Sequence, residues 1–144
     1  LRVNLSYGPY IQTSFTPFFS SLIDHPAVGQ ECRIPYSDMD FDFQYVGDMA
    51  DTFTKALCSP RTKTGIFVTR GEVRPVKDAA MFLQKIFPDI KITLLGGDMD
   101  IPLKFNTALL EEEIGYIPEH TMEEGLIKSI NMVRRSNGLE EIRL

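Results

Sequence analysis

The chain is 144 residues long, 43% hydrophobic and 24% charged, with a net charge of -5 at pH 7. That length fits one globular domain, which buries roughly two thirds of its unfolded surface. A pI near 5.0 excludes nucleic acid and anionic membrane surfaces as expected partners, because the overall field repels both.

No apolar run approaches the roughly 18 residues of a membrane span, and no signal peptide is visible in the chain. Cys32 and Cys58 lack metal-ligand spacing and read as reduced thiols of a cytoplasmic protein. The sequence opens on Leu1-Arg2-Val3-Asn4, already strand-like and without an initiator methionine, so a piece of a longer polypeptide is expected.

In chain order, residues 1–6 read as a short strand ended by the turn signal Tyr7-Gly8-Pro9. Residues 14–23 carry Phe15, Phe18, Phe19, Leu22 and Ile23 at helical spacing, opened by Thr16-Pro17 and stopped by His25-Pro26. Residues 31–36 form a weak strand. Residues 39–45 alternate: Met39, Phe41, Phe43 and Tyr45 share one face, and Asp40, Asp42 and Gln44 share a polar face expected to be solvated.

After Gly47 the period changes from two to 3.6. Met49, Phe53, Ala56 and Leu57 line one helix face, Asp48 and Asp51 set negative charge on the first turn, and Ser59-Pro60 ends the helix. The run 64–69 predicts a buried strand broken by Gly71. Pro75 then opens a helix with Val76, Ala79, Ala80, Leu83 and Phe87 on one face. Residues 90–95 form a strand ended by Gly96-Gly97, and helices follow at 106–114 and 121–135. Thr121 and Glu124 make a capping box for the last one. Strands alternating with helices indicate an α/β domain over residues 1–136, with 137–144 as a flexible tail.

The chemistry-bearing motifs sought are missing. There is no glycine fingerprint after a strand and no P-loop, and Gly96-Gly97-Asp98 reads as an ordinary turn. Asp38-Met39-Asp40-Phe41-Asp42 imitates a calcium loop but places Phe43 where glycine is needed and Met49 where glutamate is needed. His25 and His120 each stand beside a helix boundary and read as structural or surface residues. Nothing local supports pairing either with Cys58 or a serine. No catalytic, cofactor-binding or metal-binding residue is assigned.

Several segments, in order, resemble the C-terminal portion of the extended short-chain dehydrogenase/reductases, the NAD-dependent epimerase/dehydratase family. Leu1-Arg2 with Tyr7-Gly8-Pro9 is similar to that family's L-R-x-x-x-V-Y-G-P, and Tyr45-Val46-Gly47-Asp48-Met49-Ala50 to its Y-V-D-D-V-A. Gly65-Ile66-Phe67-Val68-Thr69 with Val76-Lys77-Asp78 looks like the G-x-x-N-V-G strand and the V-R-E helix. Ile114-Gly115-Tyr116-Ile117-Pro118 with Glu123-Glu124-Gly125-Leu126 looks like the E-L-G-Y-x-P and E-E-G-L ending.

The resemblance implies a Rossmann-like α/β fold and the substrate-binding part of an NAD(P)-linked enzyme. NAD or NADP would then bind the full-length protein, with none expected on this chain alone. The family's glycine-rich loop and Tyr-x-x-x-Lys lie upstream, in a missing N-terminal cofactor half, and no Tyr here has Lys four residues later. Without them the chain should not transfer hydride by itself. The rival reading is a ligand-binding or assembly module that lost its cofactor half, and the remaining one is an unrelated α/β domain.

Candidate substrate-binding residues implied by the resemblance are Asn4, Ser6, Tyr7, Phe15, Phe18, Phe41 and Arg74. Nucleotide-sugar members usually place Asn, Arg and Arg where this chain has Leu5, Tyr10-Ile11 and Phe41, and apolar groups cannot hold a diphosphate. Asn4, Arg70 and Arg74 substitute only loosely. The expected partner is therefore a small molecule other than a nucleotide-diphosphate sugar. Gly47, where the family has Asp, removes a side-chain cap. Apolar edges left by a severed sheet should make the chain self-associate, and a homo-oligomer is open.

Overall fold

The computed structural model describes residues 1–12, 15–59, 63, 65–115 and 117–143. The expected helix start at Ser14, the stop at Pro60, the strand start at Thr64, Tyr116 of the glycine-tyrosine segment and the last tail residue lie outside these.

The elements alternate as expected of an α/β chain. They are β1 (Ser6–Tyr7), α1 (Thr16–Leu22), α2 (Asp24–Ala27), β2 (Cys32–Ile34), β3 (Asp40–Tyr45), α3 (Val46–Cys58), β4 (Glu72–Pro75), α4 (Val76–Ile86), β5 (Ile92–Leu94), α5 (Ala108–Ile114) and α6 (Met122–Ser136). β3 is the central strand of a three-stranded sheet ordered β1-β3-β4, parallel to β1 and antiparallel to β4. β2 and β5 form a separate parallel pair.

Phe41 and Phe43 of β3 point into a core shared with Phe18 and Phe19 of α1, Leu83 of α4 and Leu126 of α6. Ring centroids 5.1–6.0 Å apart link Phe18, Phe19, Phe41 and Phe43, with Phe41 edge-to-face to Phe19 and Phe43, the geometry that aromatic quadrupoles favour, and tilted to Phe18. Among the described residues no helix is long and apolar enough to cross a membrane.

Several sequence expectations need correction. The first strand is reduced to Ser6–Tyr7, and Arg2 makes only one parallel bridge, to Val68. Among the described residues of the run 64–69, that bridge is the only strand pairing: Phe67 and Thr69 are buried, while Ile66 is exposed. The face with Asp42 and Gln44 is not solvated, because β3 is the middle strand and the segment 67–71 covers it from behind. The apolar side of α3 is turned outwards rather than into the core. Met49 is buried, but Phe53 is 43% and Leu57 85% exposed, while the polar Asp48 and Thr52 face inwards.

β4 carries no local strand signal, since Gly71 and Pro75 read as a break and a helix start. Pairing with β3 overrides that weak local signal. His25-Pro26 does not end the helical region, because a bend at Ile23 is followed by α2, which contains both residues.

Candidate functional site

Beneath β3 lies a buried polar layer. Asp42 accepts hydrogen bonds from the Asn4 Nδ2 at 2.8 Å and the Gly71 backbone N–H at 2.7 Å. Thr69 Oγ1 donates to Gln44 Oε1 at 3.2 Å. Burial pushes the Asp42 carboxyl above the usual carboxylate range, and the bonds from Asn4 and Gly71 only partly offset this. Gly71 must be glycine there, because a Cβ would run into the backbone of Phe43 and Gln44.

The seven residues singled out from the sequence do not meet in one cavity. Asn4 belongs to the polar layer, and half-buried Ser6 pairs in register with Gln44. Tyr7, Phe18 and Phe41 are core side chains, each 1% exposed. The Tyr7 hydroxyl donates to the Met122 carbonyl at 3.2 Å, and its pKa is driven far up, chiefly by burial. Phe15 packs on the core's edge.

Arg74 sits opposite Phe41 on β4. Its guanidinium is engaged by Asp78 at 2.9 Å, Glu72 at 3.1 Å and Glu123 at 3.4 Å. Those bonds hold it all the more firmly as a cation, and they tie β4 to α4 and α6. The side-chain donors of Asn4, Tyr7 and Arg74 thus have partners within the chain.

None of the seven lines the cleft of about 390 Å³ formed by Arg70, Gly71 and Glu72, by Thr107, Leu110 and Glu111, and by residues 117–121. Its histidine is held by a group that no local pattern reveals. The Asp48 carboxylate, 2% exposed, takes His120 Nδ1 at 2.6 Å through one oxygen and the His120 backbone N–H at 3.2 Å through the other. The Tyr45 ring meets the imidazole edge-on at 5.1 Å. From local sequence Asp48 reads as a charge on a helix dipole and His120 as a boundary residue. The two lie 72 positions apart, so only folding joins them.

Among the described residues no group of three or more His, Cys, Asp or Glu side chains is placed to hold a metal ion. The Gly96-Gly97 turn is closed by the chain itself. Gly96 N–H donates to Ser37 Oγ at 2.9 Å and Gly97 N–H to Asp38 Oδ2 at 3.0 Å.

No family model matches this sequence, and no curated protein is significantly similar to it. Solved structures are. UDP-glucuronic acid 4-epimerase from Bacillus cereus, in complex with UDP-glucuronic acid and NAD, superposes with a TM-score of 0.73 at 18% identity, over 94% of this chain and 44% of that one. The chain has the fold of the NAD-dependent epimerases and dehydratases. RMD from Pseudomonas aeruginosa, complexed with NADPH, shares it at a TM-score of 0.72 and 17% identity, over 94% of this chain and 48% of that one. A partial consensus L-threonine 3-dehydrogenase does so at 0.69 and 12%, over 90% and 47%.

The α/β, Rossmann-like architecture implied by the sequence resemblance is therefore the one observed. The chain spans less than half the length of each of these proteins. Because the fold is shared by a UDP-glucuronic acid epimerase and an L-threonine dehydrogenase, it selects no substrate by itself.

Proposed function

We propose that this chain is the substrate-binding C-terminal portion of an NAD(P)-dependent epimerase, dehydratase or dehydrogenase, and that these residues alone transfer no hydride. The observation carrying this reading is the coverage: 94% of this chain accounts for only 44% of an epimerase crystallised with NAD and its nucleotide sugar. The orientation of α3 supports it. Val46, Ala50, Phe53 and Leu57 recur along its outer face and are exposed, a stripe suited to packing against a further half of a longer polypeptide.

In that assembly NAD or NADP enters with the N-terminal half, and the protein is cytoplasmic. The substrate-facing candidates stay those of the sequence reading, with Asn4 and Ser6 on the polar side of β3, Arg74 on its Phe41 side, Phe15 at the core's edge, and Tyr7, Phe18 and Phe41 as the core behind them. The substrate is less anionic than a nucleotide-diphosphate sugar. Leu5 and Ile11 pack on the core, Phe41 is within it, and Arg74 is already paired with carboxylates. Calorimetry on the longer protein should detect no tight binding of UDP- or dTDP-sugars, and micromolar binding would sink that part of the proposal.

The cofactor reading is tested by thermal shift. The 144-residue chain should not move with NAD or NADP, whereas a polypeptide joining it to a glycine-fingerprint domain should be stabilised in proportion to ligand excess. A shift for the short chain would overturn it. A second reading, a ligand-binding or assembly module without a cofactor half, draws on one observation: a cleft of about 390 Å³ beside His120, which Asp48 holds at 2.6 Å.

A further inference from the structure

The cleft beside His120 has a donor and acceptor inventory that restricts what it accepts. A carboxylate is an acceptor only, and each Asp48 oxygen meets a nitrogen of His120. A neutral imidazole that donates to this carboxylate carries its proton on Nδ1 and its lone pair on Nε2. Nε2 makes no hydrogen bond among the described residues, and the edge contact with Tyr45 restricts the ring's plane. What this nitrogen lacks is a hydroxyl or similar donor from outside the chain.

The charges sort in the same direction. Glu72 is consumed by Arg74 at 3.1 Å and by the Met122 N–H at 2.9 Å, and Glu119 pairs with Lys55 at 3.5 Å. Glu111 stands exposed, where water solvates it. Arg70 is also exposed and makes no hydrogen bond or ion pair among the described residues, its charge being felt at the buried Asp42 carboxyl. A guanidinium presents paired donors whose best complement is a carboxylate or phosphate. Leu110, Ile117 and Pro118 supply an apolar wall, and about 390 Å³ suits a small molecule rather than a polymer.

We propose that this cleft binds a small hydroxy acid, its carboxylate on Arg70 and its hydroxyl donating to His120 Nε2. Asp48 acts as a positioning residue that sets the imidazole tautomer. The site goes beyond the cofactor-half reading, because every group it uses belongs to this chain.

The test uses the full chain labelled with 15N-histidine, whose two histidines give separable imidazole signals. Without ligand, His120 should show the tautomer protonated on Nδ1. D-glycerate at millimolar concentration should shift the His120 Nε2 resonance saturably, and glycerol should not. Arg70→Gln, an exposed substitution, should weaken glycerate about tenfold while leaving the tautomer unchanged. Inorganic phosphate should bind more weakly than glycerate, lacking the carbon-borne hydroxyl. An Nε2-protonated His120, an unmoved Nε2 signal, an equal response to glycerol, phosphate binding as tight as glycerate, or full affinity in Arg70→Gln would each overturn the assignment.

Discussion

Phe41 and Asp42 are chain neighbours with opposite surroundings, and the alternation of β3 makes them so. Phe41 is enclosed by Phe18, Phe19 and Phe43. Its truncation to Ala should cost about 3–5 kcal/mol in urea unfolding, as for other fully buried aromatics. A loss below about 1 kcal/mol would mean that the ring packs loosely, as a substrate wall does. Asp42 is a different case, because its folded-state pKa is raised by burial. The protonated form is then the better fit to the fold. The associated stability is fully present below the unfolded value of about 3.9 and is lost as pH rises through the higher folded value. Relative to Asp42→Asn, the wild-type chain should therefore gain stability as unfolding is measured from pH 7 down to pH 4. A gap that is flat or widens the other way contradicts the assignment. The phenylalanine pattern of β3 was readable from its period, whereas the burial of its acidic face was not. Asn4, Thr69 and Gly71 reach it from 25 to 38 positions away.

At the scale of elements, legibility followed how local the decisive interaction is. α6 carries its own start signal. Thr121 accepts from the Glu124 N–H at 3.3 Å, and Glu124 accepts from the Thr121 N–H at 2.9 Å. Both partners lie within one turn, so the box was visible in the sequence. Thr121→Ala should cost about 1 kcal/mol of unfolding free energy, and no loss would show that other contacts hold the helix end. Gly125 inside that helix is explained only by tertiary contact, since a Cβ would run into the Tyr7 ring and hydroxyl. β4 lies at the other extreme. Glu72, Val73, Arg74 and Pro75 carry no strand pattern of their own, and the strand exists because β3 offers it a ladder. α3 falls between the two: its period declared a helix, but period alone leaves open which side meets the core. The inward side carries Asp48, which holds His120 Nδ1 at 2.6 Å, and the outward side carries Phe53 and Leu57.

For the whole molecule, the outward stripe on α3 and the unpaired edge of β1 set the behaviour in solution. β1 pairs with β3 on one side only, leaving strand N–H and C=O groups on its other side without a ladder partner within the sheet. Leu57 at 85% exposure and Phe53 at 43% lie on α3, which follows the strand that β1 pairs with. Apolar area of this kind is removed from water by association at roughly 25 cal/mol per Å², so the chain should self-associate with rising concentration. Light scattering should show mass growing with protein concentration for the wild type. The double variant Phe53→Lys, Leu57→Glu should scatter as a monomer at the same concentrations. Both positions being solvent-facing, its unfolding free energy should stay within about 0.5 kcal/mol of the parent. Joining the chain to a cofactor half should suppress self-association equally well, because the same stripe would then be covered. A wild-type chain that remains monomeric on concentration would remove the physical reason for assigning α3 a partner.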